Sequence, residues 1–501
     1  MTTALLAPAR QRAPVRRFVA LVVVATVALR LIFLRDPVHP DEAGFLLVAK
    51  DWHLGGPFLY GHYWVDRPPG LIAIYRLASL FSWPLAIRVL TIPFVALFVV
   101  SAAWASYVVA GERSARWSAL VGGALMVSPL LDTQVANGEL FAAALVMLTI
   151  ALTLAAMRRP ASPSYLLAFL AGLTGGLAVT VKQNFGDGIV FAVVLVVASL
   201  VQRRMRLPQA LRTLLAGVLG GAVVVAGNVA YTVVARVGVG QLWFDLYGFR
   251  TRAMQIIIDR GLTATIMRAE YLLLFAVLSG MVPILLLLAR EAWRCQLTGS
   301  PVAWAVAATV VVELVSIAGG GSYWPHYLLQ LAPTVAFAAG LWAPEIRWLK
   351  GLGAFVVVSA LVSTTITAFA PEGHAGRTSK VGTEVGNVLA AASRPGDTAT
   401  MLYGHQDAQL ASGLRSPYPY FWSLPLRTLD PHEAQLRAVL AGPHAPTWVV
   451  VWSGLDWWRI DREDRTRLDL ATHYHFAGRV CGHGFWLHDG LQRHVPAVSG
   501  C

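Results

Sequence analysis

The residues best suited to chemistry lie in a polar loop just after the first apolar segment. The loop begins with His39-Pro40-Asp41-Glu42 and closes on Pro68-Pro69-Gly70, with acids, histidines and aromatic residues between them. Charged groups beside hydrocarbon are costly to desolvate, so adjacent carboxylates at this position indicate a functional role. The mixture of side chains suits a sugar or phosphate site.

Asp41 and Glu42 are the first candidates for catalysis. A carboxylate can accept the proton of a hydroxyl group as that hydroxyl attacks, and an outer-face loop gives access to water and to an acceptor. The alternative is structural, because Asp41 also suits the N-cap of a helix that begins at Glu42, where an acid favours the helix dipole. The position directly after the first span favours the catalytic interpretation.

A second acid, Glu139, lies in the predicted turn between the third and fourth spans, at the start of an apolar helix. An acid at a helix N-terminus can also be purely structural. Together with Asp41 it could position an acceptor or a metal ion, and the sequence leaves that choice open.

Three further residues are candidates for binding an anion at membrane depth. Lys182 ends the fifth span on the outer side, where cations are disfavoured, which indicates an anionic partner such as a lipid phosphate. His326 and Tyr327 follow a run of glycines at the junction of the ninth and tenth spans, and glycine lets the backbone approach a ligand. A snorkelling lysine and a tight turn with interfacial aromatic residues are the structural alternatives.

The composition places these residues in an integral membrane protein. Of the 501 residues, 56% are hydrophobic and 13% are charged, and the mean hydropathy of +0.59 is too apolar for a soluble chain. Most arginines lie in short gaps between apolar runs, where they orient the helices in the membrane. The net charge of +13 is therefore not taken as a sign of nucleic-acid binding. The three cysteines form no metal or disulfide framework, although Cys481 and Cys501 could pair in an extracytoplasmic tail.

Apolar runs of membrane length predict about eleven transmembrane helices. Their centres lie near Ala25, Phe98, Leu120, Leu145, Leu170, Val194, Val223, Phe275, Val310, Val335 and Val357. Basic clusters at every second connection place the N-terminus in the cytoplasm, and both the Asp41 loop and the C-terminal part outside. The first run lacks a small-residue cleavage site, so no cleavable signal peptide is expected.

Two polar segments are expected to shape a cavity at the outer face. Helical stretches from Glu42 to Trp52 and from Leu71 to Phe81 are predicted to lie along the membrane surface as juxtamembrane helices. The outer loop from Gly238 to about Arg268 is unusually charged. This charge suits a lid or an anion-contacting segment, and equally a solvated surface loop.

The character of the chain changes after Ala370. Short β-like runs at Thr398 to Tyr403 and Trp448 to Trp452 alternate with helical stretches at Lys380 to Ala392 and His432 to Val439. Residues 371–501 are therefore predicted to form a small extracytoplasmic α/β domain, which leaves residues 1–370 as the transmembrane catalytic domain. The tryptophans of this tail could stack on a glycan, but core packing explains most of them.

Together these motifs resemble those of the GT-C membrane glycosyltransferases, in particular the protein O-mannosyltransferases and lipid A aminoarabinose transferases. Four features carry the resemblance: Asp41-Glu42 after the first span, Arg67-Pro68-Pro69-Gly70 as a basic-Pro-Pro segment, Asn137-Gly138-Glu139 at the second outer loop, and His326-Tyr327 before a proline-containing span. They extend over roughly Arg17 to Trp342. The tail around Tyr418 to Trp422 resembles the extracytoplasmic domains of actinobacterial members. The resemblance implies a GT-C fold.

The resemblance also implies a site and a reaction. The implied site has Asp41 as catalytic base with Glu42 and Glu139 assisting, and Lys182, His326, Tyr327 and Arg67 as ligands of the donor phosphate. His326 stands where many relatives have an arginine. The implied reaction moves a monosaccharide from a polyprenyl phosphate to an acceptor hydroxyl with inversion at the anomeric carbon. No cofactor or metal cage is assigned, and a divalent cation stays open because metal dependence varies among such enzymes.

Two other classes are compatible with the sequence: a transporter or flippase for lipid-linked sugars, and a noncatalytic subunit of a membrane assembly. Charges gathered at outer helix ends, and not at mid-span, favour the enzyme, as does the lack of an evident inverted repeat. The sugar could be mannose, arabinose or another, and the acceptor a glycan, a lipid or a protein. The expected setting is the plasma membrane, in contact with membrane lipids.

Overall fold

The computed structural model describes residues 9–259, 263–293, 299–369, 374–456, 460–461, 463–496 and 501. Helices form most of this part of the chain, and a small four-stranded sheet lies near the C-terminus. The expected combination of a helical membrane region and a smaller α/β region is therefore confirmed.

Sixteen α-helices lie in the described residues up to Phe369. The first eight are α1 (Ala9–Leu31), α2 (Pro40–Lys50), α3 (Pro69–Ala78), α4 (Ala86–Ala110), α5 (Glu112–Leu125), α6 (Gly138–Ala156), α7 (Tyr165–Val181) and α8 (Asp187–Val201). The next eight are α9 (Leu207–Val234), α10 (Val239–Trp243), α11 (Phe249–Asp259), α12 (Thr263–Leu278), α13 (Met281–Trp293), α14 (Pro301–Gly319), α15 (Ala332–Trp342) and α16 (Arg347–Phe369). Helices α10 and α11 are joined by a π-helical turn, Phe244–Gly248.

Within the described residues, six helical segments are long and apolar enough to cross a membrane. They are Pro14–Arg35, Ala86–Ala110, Gly138–Ala156, Leu207–Val234, Pro301–Gly319 and Arg347–Phe369. The segments Val239–Ile258 and Thr263–Leu278 meet at 109° and would make a seventh span if they count as one. Four shorter apolar helices, α3, α7, α8 and α15, have 10 to 17 residues. Each predicted span centre lies in a helix, so the protein is a multi-pass membrane protein, while the expected number of about eleven crossings stays a prediction.

Glycines make the close contact between α7 and α9. A Cβ atom on Gly172 would lie 1.8 Å from the carbonyl oxygen of Gly217, and one on Gly220 would lie 2.0 Å from that of Phe169. In lipid the hydrophobic effect contributes little between helices, so close backbone approach through small residues supplies the packing energy. The two helices can approach this closely because these positions carry no side chain.

The two stretches that were predicted to lie along the membrane surface are both helical. Helices α2 and α3 begin two residues before the predicted stretches, and each has a proline in its first turn. Proline suits this position because its fixed φ is helical and the first turn needs no N–H donor. The prolines thus set where both helices start.

The described residues of the C-terminal region form five helices and four strands. They are α17 (His374–Ala392), β1 (Ala399–Leu402), α18 (Gln406–Ser412), α19 (Ser423–Leu429), α20 (Ala434–Leu440), β2 (Trp448–Val451), α21 (Arg465–His473), β3 (Tyr474–Val480) and β4 (His483–His488). The strand order is β1-β2-β4-β3, with β1 and β2 parallel and the other pairs antiparallel. A disulfide joins Cys481, between β3 and β4, to Cys501. The predicted domain boundary lies in residues 370–373, outside the described residues.

The segment from Arg415 to Trp422 lies on the loop between α2 and α3. The amide of Trp64 donates to the carbonyl of Pro419 at 3.2 Å, and the Tyr63 hydroxyl donates to that of Ser416 at 3.2 Å. These contacts bring a segment of the C-terminal region to the same place as the polar loop of the first helices.

Candidate active site

His39 is the N-cap residue of α2 and forms hydrogen bonds with both acids of the first turn, Asp41 and Glu42. Its Nδ1 accepts a hydrogen bond from the amide of Asp41 at 3.3 Å, and its own amide donates to Glu42 Oε2 at 3.0 Å. This is a capping box with histidine in the place of serine or threonine. The N-cap is therefore His39 and not Asp41, and the carboxylate of Asp41 instead accepts a hydrogen bond from Trp422 Nε1 at 2.8 Å.

Glu42 is fully buried and its carboxylate is occupied by structural contacts. Arg88 donates to it through Nε at 2.9 Å and Nη2 at 2.7 Å, and the amide of Ala136 donates at 2.8 Å. Burial opposes the charge of this carboxylate, but Arg88 and the two amides hold the pKa of Glu42 below its usual value. Arg88 also donates to the carbonyls of Phe33 and Pro37, each at 2.8 Å. Glu42 thus fastens α2 to the end of the first span.

Asp66 and Arg67 form the second part of the site, just before Pro68 and Pro69. A residue before proline is restricted to extended conformations, so the polar loop is expected to end with an extended backbone. Asp66 lies between two guanidinium groups, with Arg67 Nη1 and Arg250 Nη2 each 2.5 Å from its carboxylate. Burial opposes ionisation, but Arg250 and Arg67 hold the pKa of Asp66 below its usual value.

Glu139, Lys182 and His326 form the third part. Glu139 lies in the first turn of α6, and Lys182 follows α7 with an extended backbone that turns its side chain toward Glu139. Lys182 Nζ lies 2.7 Å from Glu139 Oε1, and His326 Nε2 lies 3.8 Å from the same oxygen. The other ring nitrogen of His326 is 3.0 Å from Asp132 Oδ2. Burial opposes the imidazolium form, but Glu139 and Asp132 raise the pKa of His326 above its usual value.

Members of all three parts line a cavity of about 590 Å³. Among the described residues, its acidic, basic and histidine side chains are Asp41, Asp66, Arg67, Lys182, Arg250, Arg268, His326 and Arg427. The aromatic side chains Phe45, Phe249, Trp324, Tyr327 and Trp422 complete much of the wall. Cations outnumber acids among these residues, so the cavity suits an anionic ligand, and Asp41 contributes a carboxylate to its wall.

A second cavity of about 500 Å³ adjoins the first. Lys182, Arg250, Ile257 and Tyr327 line both cavities. Glu139 lines the second cavity together with the amides of Gln183, Asn184, Gln255 and Gln330. Asp41 and Glu139, which the sequence analysis paired, therefore face different cavities, with the cations between them.

Five residues that line the cavity are not among the site residues expected from the sequence: Asp66, Arg250, Arg268, Trp422 and Arg427. Arg250 and Arg268 belong to the charged segment after Gly238, whose departure from the positive-inside pattern was the available signal. Trp422 was noted at the end of the tail segment from Tyr418 and among the tail's tryptophans, and no local pattern connects it to a residue 381 positions earlier. The side chains of two other residues of that charged segment, Asp259 and Arg260, lie outside the part that the structure describes.

No group of three or more histidine, cysteine, aspartate or glutamate side chains within the described ranges could hold a metal ion. We therefore assign no residue as a metal ligand.

No protein-family model and no curated protein sequence matches this chain. Solved structures do match its fold. ArnT from Cupriavidus metallidurans in the apo state aligns with a TM-score of 0.65 at 14% identity, over 94% of this chain and 98% of ArnT. ArnT bound to undecaprenyl phosphate aligns with a TM-score of 0.60 at 16% identity, over 93% of this chain and 97% of ArnT.

The oligosaccharyltransferase AglB from Archaeoglobus fulgidus, in complex with an inhibitory peptide and a dolichol-phosphate, also matches. Its TM-score is 0.54 at 11% identity, over 96% of this chain and 75% of AglB. Both similar proteins are GT-C glycosyltransferases. The chain therefore has the GT-C fold, as the motifs of its sequence implied.

Proposed function

We propose that the protein is an inverting glycosyltransferase that moves a monosaccharide from a polyprenyl phosphate to an acceptor hydroxyl. The observation that carries this proposal is a single cavity that holds a carboxylate, Asp41, together with the cations Arg67, Lys182 and Arg250. Transfer requires both functions in one place, a base for the acceptor and positive charge for the leaving phosphate.

Asp41 acts as the base in this proposal. The acceptor oxygen attacks the anomeric carbon as its proton passes to Asp41, and the bond from that carbon to the phosphate oxygen breaks on the opposite face. One displacement inverts the anomeric configuration. Asp41 is half-buried at the cavity wall, so it can meet both the acceptor and the solvent that later removes the proton.

The cations act on the leaving group. As the bond breaks, the phosphate oxygen takes the electron pair, and Lys182, Arg250 and Arg67 stabilise the charge that develops. Lys182, Arg250 and Tyr327 line both cavities, so a phosphate held by them lies at the junction. The sugar and acceptor then occupy the Asp41 side, and the start of the polyprenyl chain occupies the second cavity. His326 lines the first cavity and adds positive charge there when it is protonated.

Glu42 and Glu139 have positioning roles in this proposal. Glu42 is held by Arg88 and does not line the cavity, so it orients the helix that carries Asp41. Glu139 is paired with Lys182 and holds that cation at the junction. In this proposal both acids therefore assist by positioning other groups, and neither contacts the reacting atoms.

The ligands of similar proteins support the substrate classes. ArnT is bound to undecaprenyl phosphate, and AglB to a dolichol-phosphate and a peptide. We propose a donor of the same lipid-phosphate class for this chain. A hexose or a pentose, and a glycan, lipid or protein acceptor, are each consistent with the cavity.

We further propose that residues 371–501 form an extracytoplasmic domain and that the site opens to the outer face of the plasma membrane. The basic clusters of the sequence support this orientation. The disulfide between Cys481 and Cys501 adds support, because structural disulfides persist in oxidising compartments. In intact cells, a tag at the C-terminus should be accessible to an impermeant reagent.

The proposal is tested by transfer with purified protein in nanodiscs. Radiolabelled polyprenyl-phosphate mannose, arabinose and other monosaccharides are supplied with acceptors extracted from the cell envelope. The expected result is transfer of one label by the native chain and a loss of at least about 100-fold in Asp41→Asn, because a general base contributes about that much or more.

Asp51→Asn is the matched control, since Asp51 ends the same helix and does not line the cavity. Its transfer should stay close to the native rate. Equal transfer by Asp41→Asn and the native chain would overturn the base assignment. Donor binding without any transfer by the native chain would favour a transporter or an assembly subunit.

A further inference from the structure

One face of α2 is shaped to receive a side chain from the C-terminal region. Asp41, Gly44 and Phe45 stand three and four residues apart, so they lie on the same side of the helix. The indole of Trp422 lies against this face, with its ring centroid 5.4 Å from that of Phe45. Its Nε1 donates to Asp41 Oδ1 at 2.8 Å.

Gly44 makes this contact sterically feasible. A Cβ atom at position 44 would lie 2.4 Å from Cζ2 and 2.7 Å from Cη2 of Trp422. Real Cβ contacts are not this short, so any other residue at this position would move the indole. The absence of a side chain at Gly44 thus sets the distance between the indole nitrogen and the carboxylate.

The backbone around Trp422 is itself held in place. The carbonyl of Phe421 accepts a hydrogen bond from Gln406 Nε2 at 2.7 Å, and the Phe421 ring packs on Tyr63 with centroids 4.4 Å apart. Trp422 is the N-cap residue of α19, which lies along the cavity wall with Ser423, Leu424 and Pro425. The indole therefore meets Asp41 from a fixed position.

An indole N–H has a limited and specific chemistry. It donates one hydrogen bond, accepts none and stays neutral at ordinary pH. It binds Oδ1 of Asp41, which leaves Oδ2 to accept a proton from another group.

We infer that Trp422, supplied by the C-terminal region, is a positioning residue for the base: its indole N–H fixes the orientation of the Asp41 carboxylate in the cavity. This inference rests on the proposed function of Asp41. The C-terminal region then has a part in the reaction, because it supplies the indole N–H that donates to Asp41.

The first test compares Trp422→Phe with the native chain in the transfer assay. Phenylalanine keeps an aromatic ring against Phe45 but cannot donate, so kcat should fall about 10-fold to 100-fold, as expected for loss of one hydrogen bond to a charged group. The donor KM should change less than about twofold, because the phosphate ligands are untouched.

Gly44→Ala provides a second variant that keeps the indole and displaces it. It should reproduce the lower kcat with a donor KM within about twofold of the native value. Trp452→Phe is the matched control, because Trp452 belongs to the same region but stacks between His405 and His483. Its kcat and donor KM should match those of the native chain. A native kcat in Trp422→Phe would overturn the inference.

A measurement independent of activity follows the contact itself. The chain has 17 tryptophans, and after 5-fluorotryptophan labelling the ¹⁹F resonance absent from Trp422→Phe identifies Trp422. Its chemical shift should differ between the native chain and Asp41→Asn, because the substitution changes the acceptor of the indole N–H. The same chemical shift in both proteins would overturn the inference. Failure of the proposed function would give a different result: no transfer by the native chain, with the difference in chemical shift still present.

Discussion

Lys182 and Glu139 form a buried ion pair, with Nζ 2.7 Å from Oε1, between helices α6 and α7. Both side chains are at least nine-tenths buried, and the pair lies where the two cavities meet. Removing one partner of such a pair leaves an uncompensated charge in a low-dielectric place. The pair therefore links the stability of the helix bundle to the binding of an anion.

Lys182→Met should impair both folding and donor binding. Loss of the cation leaves Glu139 unpaired, so the free energy of unfolding should fall by about 3 to 5 kcal/mol. The double variant Lys182→Met/Glu139→Gln removes both charges and should recover most of that stability without recovering donor affinity. Thermal unfolding in detergent and binding of a labelled polyprenyl phosphate measure the two effects. Full donor affinity in the double variant would argue against a phosphate role for Lys182.

Glu42→Gln should destabilise the protein and leave the chemistry of the folded fraction largely intact. Arg88 would then be buried without a countercharge, at a cost of about 3 kcal/mol in the free energy of unfolding. Unfolding temperature and kcat per folded molecule should be measured together. A variant with native stability and a kcat lowered 100-fold would instead make Glu42 a catalytic residue.

Donor binding should depend on the protonation of His326. Its pKa is raised above the usual 6.5 by the two carboxylates beside it, so the imidazolium form persists to a higher pH than in a free histidine. As pH rises through that value the positive charge is lost, and the donor KM should increase. His326→Arg stays charged and should remove this alkaline increase. An identical alkaline limb in both proteins would exclude His326 as its source.

Gly172→Leu should disrupt the packing of α7 on α9. The new side chain would collide with the backbone at Gly217, and overpacking of this kind costs about 1 to 3 kcal/mol or more. Gly227→Leu is the control on α9, because no atom lies within 4 Å of a Cβ at that position. The monodisperse yield and the unfolding temperature should drop for the first variant and stay native for the second.

Much of the helical architecture follows from the sequence because hydropathy is a local property. Each predicted span centre lies in a helix, and the β-like runs at residues 398–403 and 448–452 contain β1 and β2. Strands β3 and β4 were not predicted. β3 has exposed positions in succession, as His475 and Phe476 show, so it lacks the alternation that marks a half-buried strand.

The sequence determined which residues have the chemistry: the acids after the first span, the cation after α7 and the His-Tyr pair after the glycine run. Their local patterns could not separate Asp41 from its neighbour Glu42. The tertiary structure did, because Arg88 buries one carboxylate and Trp422 reaches the other from 381 residues away. Pairings between distant segments depend on how helices pack, and no periodicity within either segment records them.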